Sequence, residues 1–317
     1  MKKILSVMLV VMMLMGVSAM AENTLPRVAA MKGPTAMGMV KMMNDNPDAY
    51  QFEIQAAIDV VTQKLVKGEV DIAAVPANVA SVLYNNTKGK IQVLAVNTLG
   101  VLYIVENGDS VKSVEDLKGK TIYASGKGAT PEYALNYLIE ENGLKNDVTI
   151  EYKAEHAECL AALLANEGSV AMLPQPFVTT AQMKNDKIRI ALDMNKEWEA
   201  LQADKEAKSA LLTGVVVART EFVQNNPQAV ADFLDLYHQS VEYTNANVEE
   251  AAKLIGSETY NIIPEAVAKI ALPYCQIVCI EGAEMQEKLS GYLSVLFAQN
   301  PSAVGGQLPD EAFYFKR

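Results

Sequence analysis

Short apolar runs alternate along this chain with segments in which apolar residues recur every three or four positions. Runs of the first kind are typical of buried strands, and the 3.6-residue spacing predicts amphipathic helices. The strand Gln51–Gln55, for example, is followed by a helix that carries Ile58, Val61 and Leu65 on one face. Strands that alternate with helices of this length predict parallel sheets built from βαβ units.

The alternation occurs twice, which predicts two lobes. It runs from Pro26 to a long β-rich stretch, Ile91–Val105, that is broken at Thr98-Leu99-Gly100, and it restarts at Val114–Leu117. After a strand at Leu211–Ala218 the chain is mainly helical. We therefore expect lobe 1 to comprise residues 22–105 and 214–317, and lobe 2 to be inserted as residues 106–213. The C-terminal helices should pack back on lobe 1.

The first 21 residues have the three-part pattern of a secretory signal peptide. Met1-Lys2-Lys3 is positively charged, Ile4–Met15 is apolar but shorter than a membrane span, and Ser18–Ala21 offers small residues before a cut. No cysteine lies near the cut, so a lipid anchor on a mature cysteine is not expected. A retained N-terminal anchor is the alternative. The pattern predicts a mature protein in the periplasm.

Composition then narrows the function. The chain has 317 residues, 50% of them hydrophobic, and a formal charge of −11, which disfavours nucleic-acid partners. Two histidines and three cysteines give no His-rich metal site or disulfide scaffold, and Cys275 and Cys279 would lie about 13 Å apart on a strand. Motifs such as GxSxG and HExxH are absent from the sequence, and His156 and His238 are typical of surface positions. We therefore predict a binding protein without catalytic residues, cofactor or metal.

Loops that follow strands supply the candidate ligand-binding residues, because ligands of open α/β sheets lie beyond the carboxyl ends of the strands. Residues 31–35 and 125–131 each place glycine, proline and hydroxyl groups before a helix, where backbone N–H groups favour an oxyanion. Ordinary capped helices with solvated lysines are the alternative, and Asn78 could equally be a helix cap. The candidates are Lys32, Gly33, Thr35, Asn78, Thr98, Ser125, Gly128, Ala129, Thr130, Gln175 and Thr213.

Several segments together resemble the substrate-binding proteins of ABC importers, in the group that includes nitrate-, sulfonate- and bicarbonate-binding proteins and binding proteins for thiamine-pyrimidine precursors. The matching segments are VDIAAVPANVASVLY (70–84), DLKGKTIYAS (116–125), GATPEYALNYL (128–138), VAMLPQPF (170–177) and PQAVADFLDL (227–236). The resemblance implies a type II periplasmic-binding-protein fold, an α/β fold of two Rossmann-like lobes joined by a hinge. Family members often carry an acid where this chain has Gln175.

The implied function is hinge closure on a small solute and its delivery to an inner-membrane ABC permease, by a monomer. None of the four arginines beyond residue 22 lies in a candidate loop, so phosphate-like dianions are disfavoured and a sulfonate, a carboxylate or another small oxyanion is expected. A thiamine-precursor pyrimidine, stacked on Tyr84, Tyr123 or Phe177, is the alternative ligand. An enzyme on the same fold, or a receptor for a membrane sensor, is a further alternative.

Overall fold

A computed structural model describes residues 25–205 and 209–317; the predicted signal peptide lies outside these residues. Eleven strands of this part of the chain form one six-stranded and one five-stranded sheet. The strands are β1 Arg27–Met31, β2 Gln51–Gln55, β3 Ile72–Pro76, β4 Ile91–Leu99, β5 Leu102–Asn107, β6 Thr121–Ala124, β7 Thr149–Tyr152, β8 Val170–Pro174, β9 Ile188–Asp193, β10 Leu212–Arg219 and β11 Ile277–Ile280.

The helices cover both sheets. They are α1 Pro34–Met37, α2 Val40–Asp45, α3 Ile58–Lys67, α4 Ala77–Thr87, α5 Thr130–Glu141, α6 His156–Ala165, α7 Phe177–Lys184, α8 Met194–Gln202, α9 Thr220–Asn225, α10 Pro227–Ala246, α11 Val248–Gly256, α12 Glu265–Ala271 and α13 Gly282–Gln299. Short 3₁₀ turns lie at 115–117, 272–274, 301–304 and 311–313. Within the described residues, the structure contains no helix that is both long and apolar enough to cross a membrane.

The sheets are mixed. Sheet 1 has the order β11-β4-β10-β3-β1-β2, and β10 runs antiparallel to both of its neighbours. Sheet 2 has the order β7-β6-β8-β5-β9, in which β5 runs antiparallel to β8 and β9. The prediction of parallel pairing is correct for β1 with β2 and β3, and for β6 with β7 and β8. It is wrong for β5 and β10, because these strands next to the lobe crossings enter a sheet without a βαβ unit, and it is also wrong for the edge strand β11, which pairs antiparallel with β4.

Sheet 1 is buried on both faces. Successive side chains of a strand point to opposite faces of the sheet, so each face contacts a different group of helices. Ile72 and Ala74 pack in a cluster with α10 and α11, whereas Ala73 and Val75 point the other way into a cluster with α4 and α13. All four side chains are fully buried. Burying a side chain of the size of Val or Ile contributes about 1.5–3 kcal/mol, so this central strand anchors lobe 1.

The chain crosses between the sheets earlier than the predicted boundary at 106. β4 ends at Leu99 in sheet 1 and β5 begins at Leu102 in sheet 2. The break in the β-rich stretch at Gly100 is therefore the crossing itself. The return crossing ends at Leu212, next to the predicted 213. Asn195 at the start of α8 fixes the first crossing to lobe 2, because its Nδ2 donates to the Gly100 carbonyl.

Helix α13 joins the lobes on another side. Tyr292 is fully buried, its ring lies 5.9 Å from the Trp198 ring, and its hydroxyl donates to Thr130 Oγ1 at 2.8 Å. Tyr103 Oη in β5 also donates to the Tyr274 carbonyl at 3.1 Å. These contacts connect lobe 2 to C-terminal segments of lobe 1, in addition to the two crossings.

Candidate functional site

Two sheet edges meet at the crossings. The carboxyl ends of β1, β3 and β4 and the start of β10 form the edge of lobe 1, and the carboxyl ends of β6, β7 and β8 form the edge of lobe 2. Gln175, just after β8, is linked directly to the crossing between β4 and β5, because its backbone N–H donates to the Val101 carbonyl at 3.0 Å. Residues of both edges therefore lie close to the Gly100 crossing.

The lobe 1 edge brings Thr35, Asn97, Thr98 and Gly214 together. Thr98 Oγ1 donates to Asn97 Oδ1 at 3.0 Å, and Thr35 Oγ1 donates to the Met31 carbonyl at 3.1 Å. A methyl group added to Gly214 would clash with Asn97 Oδ1 and would lie 2.9 Å from Thr35 Cγ2. Position 214 therefore admits only glycine, because these side chains crowd against its backbone.

Two polar groups at this edge have no partner among the described residues. Asn97 is fully buried, and its Nδ2 has no acceptor; the buried Thr213 Oγ1 likewise lacks a partner. A buried amide N–H without an acceptor costs about 1–3 kcal/mol. The predicted loop 31–35 also lies at this edge: Gly33 takes a φ of +114°, and the side chain of Lys32 beside it is exposed.

The lobe 2 edge centres on a contact between Ser125 and His156. Ser125 Oγ lies 2.5 Å from His156 Nδ1, and the imidazole packs against Phe177 at 5.3 Å between ring centroids. Ser125 is 2% exposed. Burial lowers the pKa of His156 from 6.5 to about 4, so the ring is neutral at physiological pH. His156 has an intermediate exposure, so the expectation of a surface position is only partly correct: the ring contacts Ser125 and packs against Phe177.

Gln175 has a fixed orientation at the same edge. Its Oε1 accepts from Thr179 N at 3.3 Å and from Thr179 Oγ1 at 2.9 Å, at the start of α7. Its Nε2 has no acceptor among the described residues, although the residue is only 1% exposed. The start of α7 therefore holds the carbonyl side of the amide, which leaves the N–H side available.

The loop before α5 is more fully engaged than the sequence indicates. The Gly128 N–H donates to Glu132 Oε2 at 2.6 Å, and the Ala129 N–H donates to the Gly126 carbonyl at 3.1 Å. Thr130 is buried beneath α13, where it accepts from Tyr292. A carboxylate thus already occupies the positive end of this helix.

Asn78 lies on a face of α4 that holds the C-terminal segment. Its Nδ2 donates to the Ala303 carbonyl at 3.2 Å, and Ser81 and Asn85 on the same face donate to the Val304 carbonyl. Asn78 does not cap α4 with its side chain. Tyr84, on the next turn, packs against Phe313 and donates to Asp310, so this face of α4 contacts the C-terminus.

The four arginines of the described chain are paired with carboxylates. Arg27 and Arg219 bind Asp71, Arg189 binds Glu106, and Arg317 binds Asp235 and Glu281. The polar groups that we find at the two edges are hydroxyls, amides and a neutral imidazole. A separate groove of about 750 Å³ lies beside Gly68, Lys88 and Arg219, where cationic side chains complement the carboxyl ends of α3 and α4.

Sequence reasoning missed His156 and Asn97. Both follow the same strand-end rule as the predicted residues: His156 begins the helix after β7, and Asn97 immediately precedes Thr98 near the end of β4. Thr98 is among the predicted residues, and Asn97 lies next to it at the same strand end. Applied to every strand end of both sheets, the rule would have selected both residues.

Comparison with known proteins decides the family. Residues 42–251 match the family described as "ABC transporter, phosphonate, periplasmic substrate-binding protein". The chain belongs to this family. It is a family of binding proteins rather than enzymes. A protein of Brucella abortus (strain 2308), described as a binding protein, is 24% identical over 220 residues, which are 66% of this chain and 66% of the relative. The alignment thus spans just under two thirds of that relative's length.

Solved structures of an ABC transporter protein and of periplasmic binding proteins have the same fold. An ABC transporter protein from Parabacteroides distasonis superposes with a TM-score of 0.78 and 24% identity, covering 93% of this chain and 100% of the other. The periplasmic aliphatic sulphonate binding protein SsuA from Escherichia coli gives 0.72 and 16%, covering 93% of each chain. The periplasmic nitrate-binding protein NrtA from Synechocystis PCC 6803 gives 0.57 and 15%, covering 78% and 69%. The predicted type II periplasmic-binding-protein fold is confirmed.

Proposed function

We propose that this substrate-binding protein binds a small solute with a singly charged oxyanion group, such as a sulfonate, a carboxylate or a monoanionic phosphonate, between its lobes. The observation that carries the proposal is the pair of buried amide donors, Gln175 Nε2 in lobe 2 and Asn97 Nδ2 in lobe 1, that have no acceptor within the described chain. An oxyanion supplies acceptors to both. The free-energy cost of removing the oxyanion from water is offset by these hydrogen bonds, which are stronger in a buried site than in water.

The chemistry of the neighbouring groups supports a single negative charge. Ser125 and His156 face the same edge as Gln175, and with Ser125 donating to Nδ1 the neutral ring carries its proton on Nε2 as a further donor. A dianion favours a bidentate guanidinium, whereas every arginine of the described chain is engaged by a carboxylate. Neutral donors suit a monoanion better.

Contacts from both lobes would favour the closed arrangement of the two sheets and so couple binding to hinge closure at Gly100 and Asn195. We propose that the closed, monomeric protein delivers its solute to an ABC permease of the inner membrane. We also propose that residues 1–21 are a signal peptide removed on export to the periplasm. Mass measurement of the mature protein tests that cleavage directly: a mass that retains Met1 would contradict it.

A thermal-shift screen tests the ligand class. Protein lacking residues 1–21 is heated with alkanesulfonates, alkylphosphonates, nitrate, bicarbonate, carboxylates, pyrimidines and thiamine. A solute at 100 times its Kd stabilises the fold by about 2.7 kcal/mol, which raises the Tm by a few degrees. An oxyanion that does so supports the proposal. Stabilisation by pyrimidines alone would favour the heterocycle alternative, for which the adjacent, mutually tilted rings of His156 and Phe177 offer an aromatic surface.

A further inference from the structure

Three potential metal ligands that are distant in sequence converge at the outer edge of sheet 1. His238 comes from α10, Cys279 from β11 and Glu281 from the turn before α13. One ligand atom of each lies within 4.8 Å of the others. β11 is the outermost strand of its sheet, and the cluster contains none of the residues of the edge that carries Thr98 and Gly214. The solute site does not use any of the three side chains.

The ligand types suit one class of cation. An imidazole nitrogen, a thiolate sulfur and a carboxylate oxygen are the three donor types that bind Zn²⁺, at about 2.0–2.3 Å in tetrahedral sites. Those bond lengths place ligand atoms roughly 3.3–3.8 Å apart. Cys279 Sγ already lies 3.9 Å from Glu281 Oε1. Side-chain movements of about 1 Å would therefore complete the geometry.

The surroundings supply access and support. His238, Asp235 and Glu281 line a groove of about 370 Å³. His238 Nε2 lies 3.3 Å from Glu242 Oε1 one helical turn away, and a carboxylate beside a metal-bound imidazole orients it. Asp235 lies one helical turn before His238 and lines the same groove. Its carboxylate or a water molecule would supply the fourth ligand.

Arg317 already places a cation at this position. Its Nε lies 3.0 Å from Glu281 Oε2, and its guanidinium also lies 2.8 Å from Asp235 Oδ1. Glu281 Oε1 is left to face Cys279. The guanidinium therefore neutralises two carboxylates without engaging the thiol or the imidazole, which remain for a softer ion.

We propose that His238, Cys279 and Glu281 bind one divalent transition-metal ion of the zinc class. Bound there, the ion would tie the edge strand β11 to α10. Arg317 would compete with it for the carboxylates, so that removing the guanidinium strengthens metal binding.

Cobalt substitution tests the site. Co²⁺ is titrated into metal-stripped protein lacking residues 1–21, and absorption from a thiolate–Co²⁺ bond is followed. We expect the band to saturate at one ion per chain and to disappear when Zn²⁺ is added. Cys279→Ser should abolish it, and His238→Gln should weaken metal binding by at least about tenfold. Cys275→Ala, which removes a neighbouring thiol outside the cluster, should retain it.

Two further measurements complete the test, and the first of them does not depend on the folding of a variant. In the wild-type protein, stoichiometric Zn²⁺ should protect Cys279 from iodoacetamide, as mapped by mass spectrometry. Arg317→Gln should tighten Zn²⁺ binding more than Lys316→Gln, which removes the same charge from the next residue. Absence of the cobalt band in the wild type, its persistence in Cys279→Ser, or unprotected Cys279 under saturating Zn²⁺ would each overturn the proposal.

Discussion

Ser125 Oγ lies 2.5 Å from His156 Nδ1, and this contact joins the ends of two neighbouring strands, β6 and β7, in lobe 2. The serine was expected from its glycine-rich loop. The hydrogen-bonding capacity of the pair depends on the histidine. Burial keeps its ring neutral, so that one ring nitrogen donates a hydrogen bond while the other accepts one.

Removing the imidazole should weaken solute binding. We expect His156→Ala to raise the Kd of the oxyanion found in the screen by about 10-fold to 100-fold, because a hydrogen bond to a charged group contributes about 1.5–3 kcal/mol. Isothermal titration calorimetry measures the change. His238→Gln is the control, since His238 is exposed on α10; equal effects of the two variants would contradict the assignment of His156 to the site.

Stability should fall in mild acid because of the same residue. The folded-state pKa of His156 is about 4, below its ordinary 6.5, so the unfolded chain takes up a proton first. The contribution of His156 is therefore fully present above about pH 6.5 and is lost as the pH falls towards 4. It amounts to at most about 3 kcal/mol. Urea unfolding between pH 4 and 7 should show a steeper loss in wild type than in His156→Gln; parallel curves would refute the buried neutral ring.

Gly214→Ala should impair the lobe 1 half of the site. The new methyl group would clash with Asn97 Oδ1 and press on Thr35 Cγ2, so we expect a loss of about 1–3 kcal/mol in stability together with weaker binding. Gly143→Ala is the control. Its φ is +69° with open space around the glycine, so it should cost about 1 kcal/mol of backbone strain and leave the Kd unchanged. Full solute affinity in Gly214→Ala would contradict the lobe 1 assignment.

Gln175→Glu should exclude anions from the site. Thr179 would still donate to one carboxylate oxygen, but the free amide donor would become a buried negative charge facing the solute. We expect the Kd of an oxyanion to rise at least about 100-fold. Gln224→Glu adds the same charge at an exposed position and should have little effect. Unchanged anion affinity in Gln175→Glu would rule out Nε2 as a ligand donor.

Asp71→Asn should destabilise lobe 1 without changing the solute Kd. Asp71 is 5% exposed and accepts from Arg27 and Arg219. Burial alone would raise the pKa of Asp71, but hydrogen bonds from the two arginines outweigh it and lower the pKa. Because both guanidinium groups are partly exposed to water, we expect the loss of the charged acceptor to cost about 1–3 kcal/mol. Chemical denaturation gives that cost, and a changed solute Kd would instead place the arginines in the binding site.

Local patterns predicted many elements well. The apolar spacing predicts helices over His156–Ala165 and Val248–Gly256, and the structure has both with these bounds, because each is a single amphipathic stretch between turn residues. The spacing also predicts one helix over Ala36–Asn44, where the structure has two short helices. Gly38 lies at the break, where an added methyl group would be 2.8 Å from Ile277 Cγ2. The local spacing of apolar residues cannot predict this contact, because Gly38 and Ile277 of β11 are far apart in the sequence.

The binding groups were predictable only in part. Ser125, Thr35 and Gln175 follow from the rule for strand ends, because the backbone direction alone places them. Their hydrogen bonds depend on the tertiary fold: Glu132 takes the Gly128 N–H, and Tyr292 reaches Thr130 from a helix at the other end of the chain. The strand-end rule also covers His156 and Asn97, but their contacts with Ser125 and Thr98 depend on the tertiary fold in the same way.

A crystal structure of the protein with the tightest-binding oxyanion from the screen tests the central claim most directly. The account predicts one solute between the lobes, with oxyanion oxygens about 3 Å from Gln175 Nε2 and from Asn97 Nδ2. A solute bound elsewhere, for example beside Gly68 and Arg219, or one that leaves both amides without an acceptor, would contradict it.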